Sequence, residues 1–285
     1  MQPQVDLRCI SCSDHVDYHQ CFGYKWLDQT GLEYQNHVID IYSATNIGIV
    51  RDHNEDDLLA LHSGDQPPGT EAVLVVADGM GGHLAGEVAS RMTVDGIREH
   101  LREKESVSAT IEGSEYGIFL HTIIKEVNES VCVAGRDPDK LGMGTTCTLA
   151  AIREDTLFMV HVGDSRAYMI RNSEIHQITT DHSWVQERVD EGSMTKEEAR
   201  FHPNRNMITR AIGLQRNVEI DVLRLDITPG DLLLLCSDGL NSMITDEEIL
   251  GVILKAQPDS ICNDLIDAAN KAGGHDNITV ITAQF

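Results

Sequence analysis

Four aspartates in this 285-residue chain stand where an apolar run meets a glycine or begins: Val73 to Asp78-Gly79, Leu157 to Gly163-Asp164, Leu232 to Asp238-Gly239, and Asp276 just before Ile278. Any one Asp-Gly after a strand reads as a turn. Four at the ends of the most apolar runs read differently, because carboxylates gathered at a sheet rim repel unless a cation holds them together. A fifth acidic element, Glu55-Asp56, lies in the stretch Arg51-Asp52-His53-Asn54-Glu55-Asp56, just before the run Asp57 to Leu61. Oxygen-only ligands suit Mg²⁺ or Mn²⁺ far better than Zn²⁺. Two such ions roughly 3.5–4 Å apart can clamp a phosphate, lower the pKa of a bridging water and align it for in-line attack. Arg51 would then offer a guanidinium fork to the phosphate oxygens. The chemistry these residues suit is metal-assisted hydrolysis of a phosphate ester.

Such a cluster needs strands that end together. β-rich runs are Asp40 to Thr45, Asp57 to Leu61, Ala72 to Ala77, Thr146 to Ile152, Thr156 to Val162, Ala167 to Arg171, Glu174 to Ile178, Val218 to Leu225, Asp231 to Cys236 and Ile278 to Ala283. The connections Arg153-Glu154-Asp155 and Asn172-Ser173 are too short for a crossover helix, so their flanking strands pair antiparallel. Helical spacing places Val88, Met92, Ile97 and Leu101 on one side of Ala85 to Glu103, and Leu120, Ile124, Val127 and Val131 on one side of Ile118 to Cys132. Thr195-x-x-Glu198 and Thr245-x-x-Glu248 predict two capped helix starts. The expected fold class is α+β: a four-layer αββα sandwich of two antiparallel sheets flanked by helices. Residues 39–285 are expected to form one domain, with residues 1–38 an N-terminal extension of unknown role.

Composition narrows the function classes. Lys and Arg number 22 against 46 Asp and Glu, a formal charge of −24 and a pI near 4.7, which repels nucleic acid and anionic lipid. No apolar run approaches the length that spans a bilayer, and the N-terminal MQPQVDLRC lacks a basic start and an apolar signal segment. A soluble, cytoplasmic monomer is expected. Seven cysteines argue against a disulfide framework; Cys147 and Cys236 sit in apolar runs, and Cys132 and Cys262 in helical segments. Cys9, Cys12 and Cys21, with His15 and His19, raise the alternative of a small zinc site, although Cys12 to His15 is tighter than finger spacing.

Seven stretches together resemble one family. They are Gly48-Ile49-Val50-Arg51 through Asn54-Glu55-Asp56; Asp78-Gly79-Met80-Gly81-Gly82-His83 with Ala85-Gly86-Glu87-Val88-Ala89; Gly142-Met143-Gly144-Thr145-Thr146; His161-Val162-Gly163-Asp164-Ser165-Arg166; Asp181-His182-Ser183; Cys236-Ser237-Asp238-Gly239-Leu240; and Gly274-His275-Asp276-Asn277-Ile278-Thr279. In this order they resemble the metal-dependent type 2C serine/threonine protein phosphatases, in their bacterial branch, a signalling family. The resemblance implies hydrolysis of phosphoserine and phosphothreonine in proteins by direct attack of a metal-bridging water. It implies a cofactor of two Mn²⁺ or Mg²⁺ ions with a weaker third, and as partners a Ser/Thr kinase and its targets. Asp78 would bridge both metals, with the Gly79 carbonyl on one; Asp238 and Asp276 would be terminal ligands, and Asp164 with Asp238 the third site. Glu55 and Asp56 would bind or orient water, and Arg51 the phosphate.

The chain departs from that pattern at Asn46, in place of Asp, and in its extension. Met80 stands where animal relatives have a histidine thought to act as general acid, a methionine that bacterial relatives share. His83 is a candidate for that task, against the plainer role of a structural hydrogen-bonder. Arg205 and Arg210, in the stretch 181–213 that resembles the family's variable flap, could touch a phosphopeptide or simply be solvated. An aspartyl-phosphate phosphatase would need a second Asp two residues after its nucleophile, which Asp78-Gly79-Met80 lacks. The remaining alternative is a catalytically weak phosphoprotein-binding module of the same fold, which would be expected to have lost a ligand.

Overall fold

A computed structural model gives the structure of the chain and describes residues 26–27, 33–34, 39–81 and 85–285. Contacts divide the chain into two units, Met1–Val38 and Ile39–Phe285. In the first unit β1 (Trp26–Leu27) pairs antiparallel with β2 (Glu33–Tyr34). Cys9, Cys12, His15, His19 and Cys21 lie outside the described residues, as does His83.

The second unit runs β3 (Asp40–Asn46), β4 (Asp56–Leu61), β5 (Ala72–Met80), α1 (Ala85–Glu103), α2 (Glu105–Thr110), α3 (Gly113–Ala134), β6 (Gly144–Thr145), β7 (Cys147–Arg153), β8 (Thr156–Val162), β9 (Arg166–Arg171) and β10 (Glu174–Gln177). It continues with α4 (Trp184–Asp190), α5 (Lys196–Phe201), β11 (Asp221–Asp226), β12 (Leu232–Cys236), α6 (Asp238–Asn241), α7 (Asp246–Ile253), α8 (Ile261–Lys271) and β13 (Ile278–Gln284). One sheet has the order β10-β9-β12-β13-β3, the other β11-β8-β7-β5-β4 with β6 added to β5, and the pairs in both are antiparallel.

Why two sheets stack is visible in β5. Strand side chains alternate between faces, yet Ala72 to Ala77 is apolar at every position. Val73, Val75 and Ala77 pack in the core under α1 and α3, while Ala72, Leu74 and Val76 join Leu233, Leu235, Ile281 and Ala283 of the other sheet in a central core. A third core lies beneath α6, α7 and α8 on the outer face of the second sheet. The result is the four-layer αββα sandwich that the short antiparallel connections and amphipathic helices predict.

The differences from the sequence reading have local causes. The buried stripe of α1 is Ala85, Ala89, Ser90, Thr93, Val94, Ile97 and Leu101, while Val88 and Met92 are only partly buried at its flank. Small residues bring the helix close to β4 and β5, which a search for large apolar residues overlooks. Helix α3 starts five residues before Ile118, because Tyr116 is fully buried there and hydrogen-bonds Thr70. Strand β11 begins at Asp221, not Val218, where pairing with His161 starts. Both expected capping boxes form, at Thr195 and Thr245. The cysteines 132, 147, 236 and 262 are free thiols. Among the described residues no helix is long and apolar enough to cross a membrane.

The double-faced burial sets a test of the fold. Leu74→Ala, at the centre of the inter-sheet core, is expected to lower stability by about 2–5 kcal/mol. Leu254→Ala, on a side chain 55% exposed, is expected to stay within about 0.5 kcal/mol. Urea denaturation midpoints at unchanged slope measure both.

Candidate metal centre

The topology brings the acidic residues to one mouth between the sheets. In the antiparallel register of β4 and β5, Asp56 lies directly opposite Asp78. In the second sheet β12 and β13 are antiparallel neighbours, so Asp238, just after the end of β12, and Asp276, just before the start of β13, fall at the same end. Asp164 sits in the short link from β8 of one sheet to β9 of the other.

Asp78-Gly79, which taken singly has the composition of a turn, stays extended inside β5. Gly79 N–H donates to the Glu55 carbonyl at 3.1 Å, and Gly79 pairs with Thr145. The Asp78 carbonyl accepts from Thr146 N–H and from Thr145 Oγ1, both at 2.9 Å, and Asp78 N–H donates to Thr146 Oγ1 at 2.9 Å. Position 79 must be glycine for a reason of space: a Cβ there would lie 2.3 Å from the Gly86 carbonyl oxygen and 2.4 Å from that of Glu55. Glycine is equally required at 239, where a Cβ would lie 1.9 Å from the Asn277 carbonyl oxygen. Asp238-Gly239 is not a turn either; it opens the short helix α6.

Polar residues tie the two sheets together around these carboxylates. Ser237 Oγ donates to Asp56 Oδ2 at 2.7 Å and accepts from Thr279 N–H at 2.9 Å. Asn277 accepts from Glu55 N–H at 2.8 Å and donates to the carbonyls of Ile47 and His53, each at 2.9 Å. Ser90 Oγ of α1 donates to the Glu55 carbonyl at 2.6 Å. Arg51 Nη2 donates to Asp276 Oδ2 at 2.6 Å, with Nη1 3.8 Å from Glu55 Oε2. Behind Asp164, Arg166 makes a bidentate pair with Asp181, Nε to Oδ1 at 2.8 Å and Nη2 to Oδ2 at 2.7 Å.

Burial and mutual repulsion dominate the electrostatics. Asp78 is pushed well above the usual carboxylate range, first by burial and then by Asp56, Asp238, Asp164 and Asp276 together. Asp164 is likewise raised by burial and by Asp238 and Asp181. Burial, with the charges of Asp238 and Asp276, pushes Asp56 up to about 7 against the hydrogen bonds of Thr279 and Ser237. Asp238, raised by burial and Asp276, reaches about 6, and its carboxyl is within hydrogen-bonding reach of Asp78. Glu55 is raised by burial and partly relieved by Arg51.

This pattern fits a hard divalent cation. Glu55 Oε1, near the Gly86 amide, and Asp56 Oδ1 are buried without a well-formed hydrogen bond among the described residues. Buried anionic oxygens of this kind are costly unless a proton or a cation compensates them. Among the described residues no group of three or more His, Cys, Asp or Glu side chains is arranged to hold an ion by itself. The carboxylates sense one another without closing on one point, so backbone oxygen and water would share the coordination, as Mg²⁺-type sites favour.

All eight residues singled out as catalytic or metal-binding, Arg51, Glu55, Asp56, Asp78, Gly79, Asp164, Asp238 and Asp276, thus belong to one connected region. The sequence reading assigned no role to Ser237, Asn277 and Thr279, although they lie in the stretches that carry the resemblance, and it missed Ser90, a polar residue on a helix face. Arg210 is drawn away from the role considered for it: its Nη2 pairs with Glu219 at 2.8 Å and its Nη1 with Asp221 at 3.1 Å.

Comparison with known proteins adds an independent finding. The family profile described as Protein phosphatase 2C matches residues 48–257. The serine/threonine phosphatase stp of Listeria innocua is 38% identical over 242 residues, covering 84% of this chain and 93% of the relative. The solved serine/threonine phosphatase of S. agalactiae superposes with a TM-score of 0.80 at 37% identity, over 87% of this chain and 99% of that one. The catalytic domain of the serine/threonine protein phosphatase PstP, solved in complex with two manganese ions, superposes with a TM-score of 0.72 at 34% identity, over 86% of this chain and 97% of that one.

The raised carboxyls give a sign for cation binding. Groups at about 6 and about 7 hold protons at pH 6 that a cation must displace, so binding releases protons and its affinity rises with pH. Titration of Mn²⁺ into cation-free protein at pH 6, in two buffers of different ionisation enthalpy, is expected to show release of roughly one proton or more per chain. Equal heats in the two buffers would contradict the carboxylate site.

Proposed function

The chain belongs to the protein phosphatase 2C family and is a phosphoprotein phosphatase of its bacterial kind, and we propose that it hydrolyses phosphoserine and phosphothreonine in proteins at the mouth between its sheets. The observation that carries the reading is the convergence of carboxylates from both sheets on one mouth, Asp56 opposite Asp78 in one and Asp238 and Asp276 at a shared end of the other. Residues 39–285 are the catalytic domain in this reading, and its substrates are the products of a Ser/Thr kinase.

Asp78, the Gly79 carbonyl, Asp238 and Asp276 would hold two divalent cations, Mn²⁺ or Mg²⁺, with Asp164 beside Asp238 as the place for a third. Bound there, the ions supply Lewis acidity toward the phosphate and toward the hydrolytic water. The chain's own residues do the rest. Arg51, 46% exposed at the rim, presents its fork to the phosphate oxygens, and Asp276 fixes the guanidinium by a charge-assisted hydrogen bond. Glu55 and Asp56 each keep a buried oxygen open to accept from water and orient it. Asn277, Ser237 and Thr145 hold the backbone and carboxylates in place, so little reorganisation is needed as charge develops.

Attack by water without a phosphoenzyme is supported by the surroundings of Ser237, the hydroxyl that bonds the Asp56 carboxylate. Ser237 is fully buried, and its Oγ is committed to Asp56 and to Thr279 N–H. The binding-module alternative would call for a lost ligand, and each expected carboxylate is retained.

Hydrolysis of p-nitrophenyl phosphate and of a phosphothreonine peptide, with Mn²⁺, Mg²⁺ or EDTA, tests the proposal. Either ion is expected to support turnover, EDTA to abolish it, and Asp238→Ala to fall to background while remaining folded. Activity that survives EDTA, or a folded Asp238→Ala that is fully active, contradicts the mechanism. Arg51→Ala, which removes a charge-assisted bond to phosphate, is expected to lower kcat/KM by about 10- to 100-fold, measured on the same peptide.

A further inference from the structure

A cavity of about 670 Å³ opens from Asp164 and Asp238 and runs between two walls, one built by residues 183–206 and the other by residues 241–247. Its volume is in the range of ligand-binding clefts. Three cations line it, Lys196, Arg200 and Arg205, and no ion pair or hydrogen bond engages their side chains among the described residues.

Other cations in and near this wall are engaged. Arg188 pairs with Glu191 at 2.8 Å, Arg210 with Glu219 and Asp221, and Arg166 with Asp181. Acidic groups on the lining also have structural tasks. Asp181 holds Arg166, Asp246 accepts from Tyr168 Oη at 3.0 Å, and Glu197 and Glu247 lie in the first turns of α5 and α7, where the helix N-terminus favours negative charge. Solvated surface cations are common, and singly they call for no explanation. These three converge on a concavity that leads to the carboxylate centre, in a chain whose acidic residues outnumber basic ones 46 to 22. A phosphopeptide rich in carboxylates would be repelled by most of this surface. Along this wall it would find unengaged guanidinium forks, which match carboxylates well.

We infer that Lys196, Arg200 and Arg205 are specificity-determining residues that select phosphopeptides with acidic side chains flanking the phosphoresidue. The inference rests on the phosphatase reading above and goes beyond it by naming the substrate's neighbouring chemistry.

The test uses the full chain with Mn²⁺ and two phosphothreonine peptides, identical except that one carries Glu and the other Gln at the flanking positions. The ratio of kcat/KM for the two peptides is internal to each protein variant and so independent of the folded fraction. Exposed ion pairs are individually weak, so wild type is expected to favour the Glu peptide by about three- to ten-fold at low salt, and less at high salt. In Arg200→Gln/Arg205→Gln the ratio is expected to fall to near one, and in Arg200→Glu/Arg205→Glu to invert. A wild-type ratio at or below one, or a ratio that neither double variant changes, overturns the inference. Hydrolysis of p-nitrophenyl phosphate alongside such a flat ratio would leave the phosphatase reading standing; no hydrolysis of any of the three substrates would overturn both.

Discussion

Repulsion among buried carboxylates is the constraint around which this protein is arranged. Asp78 is half-buried, facing four other aspartates of which Asp56 and Asp164 are buried, and the loss of water around them weakens the screening they would otherwise have. A fold does not gather such charge for stability; uncompensated, it opposes folding. The compensation available within the chain is slight: Arg51 reaches Asp276 and Glu55 at the rim, and Ser237 hydrogen-bonds Asp56 from below. What remains is a deficit of positive charge surrounded by oxygen, and divalent cations suit it.

That constraint accounts for features of the fold that would otherwise be separate. Two sheets, not one, are needed to surround the centre, since Asp56 and Asp78 come from one and Asp238 and Asp276 from the ends of strands in the other. The sheets must then be fixed to one another at the mouth. Ser237 and Asn277 do this with side-chain hydrogen bonds that cross from one sheet to Asp56 and to the backbone of Glu55 beside the other. Close approach explains the glycines: Gly79 lets α1 come down on β5, and Gly239 lets α6 sit on the turn before β13.

Much of this was legible in the sequence because the relevant signals are local. Short connections implied antiparallel pairing, Thr-x-x-Glu implied helix starts, and aspartates at one end of four apolar runs implied a rim of carboxylates. What stayed hidden depends on tertiary context. Asp78-Gly79 has the composition of a turn, and only the pairing of β5 with both β4 and β6 keeps it extended. The small residues of α1 carry almost no hydrophobic signal, yet they form the face that docks. Ser237, Asn277 and Ser90 matter through partners 35 to 230 residues away in sequence, beyond the reach of any local pattern. Arg205 and Arg210 were indistinguishable as flap cations; the nearby acids Glu219 and Asp221 claim one and leave the other on the cavity.

The central claim is that Asp78, Asp238 and Asp276 jointly hold divalent cations at the mouth between the sheets. Crystals grown with Mn²⁺ and measured on either side of the manganese absorption edge test it without recourse to activity. The account predicts anomalous peaks within coordination distance of Asp78, with Asp238 and Asp276 sharing one of them. Density for an ordered protein with no anomalous peak among these three carboxylates, at saturating Mn²⁺, would contradict it.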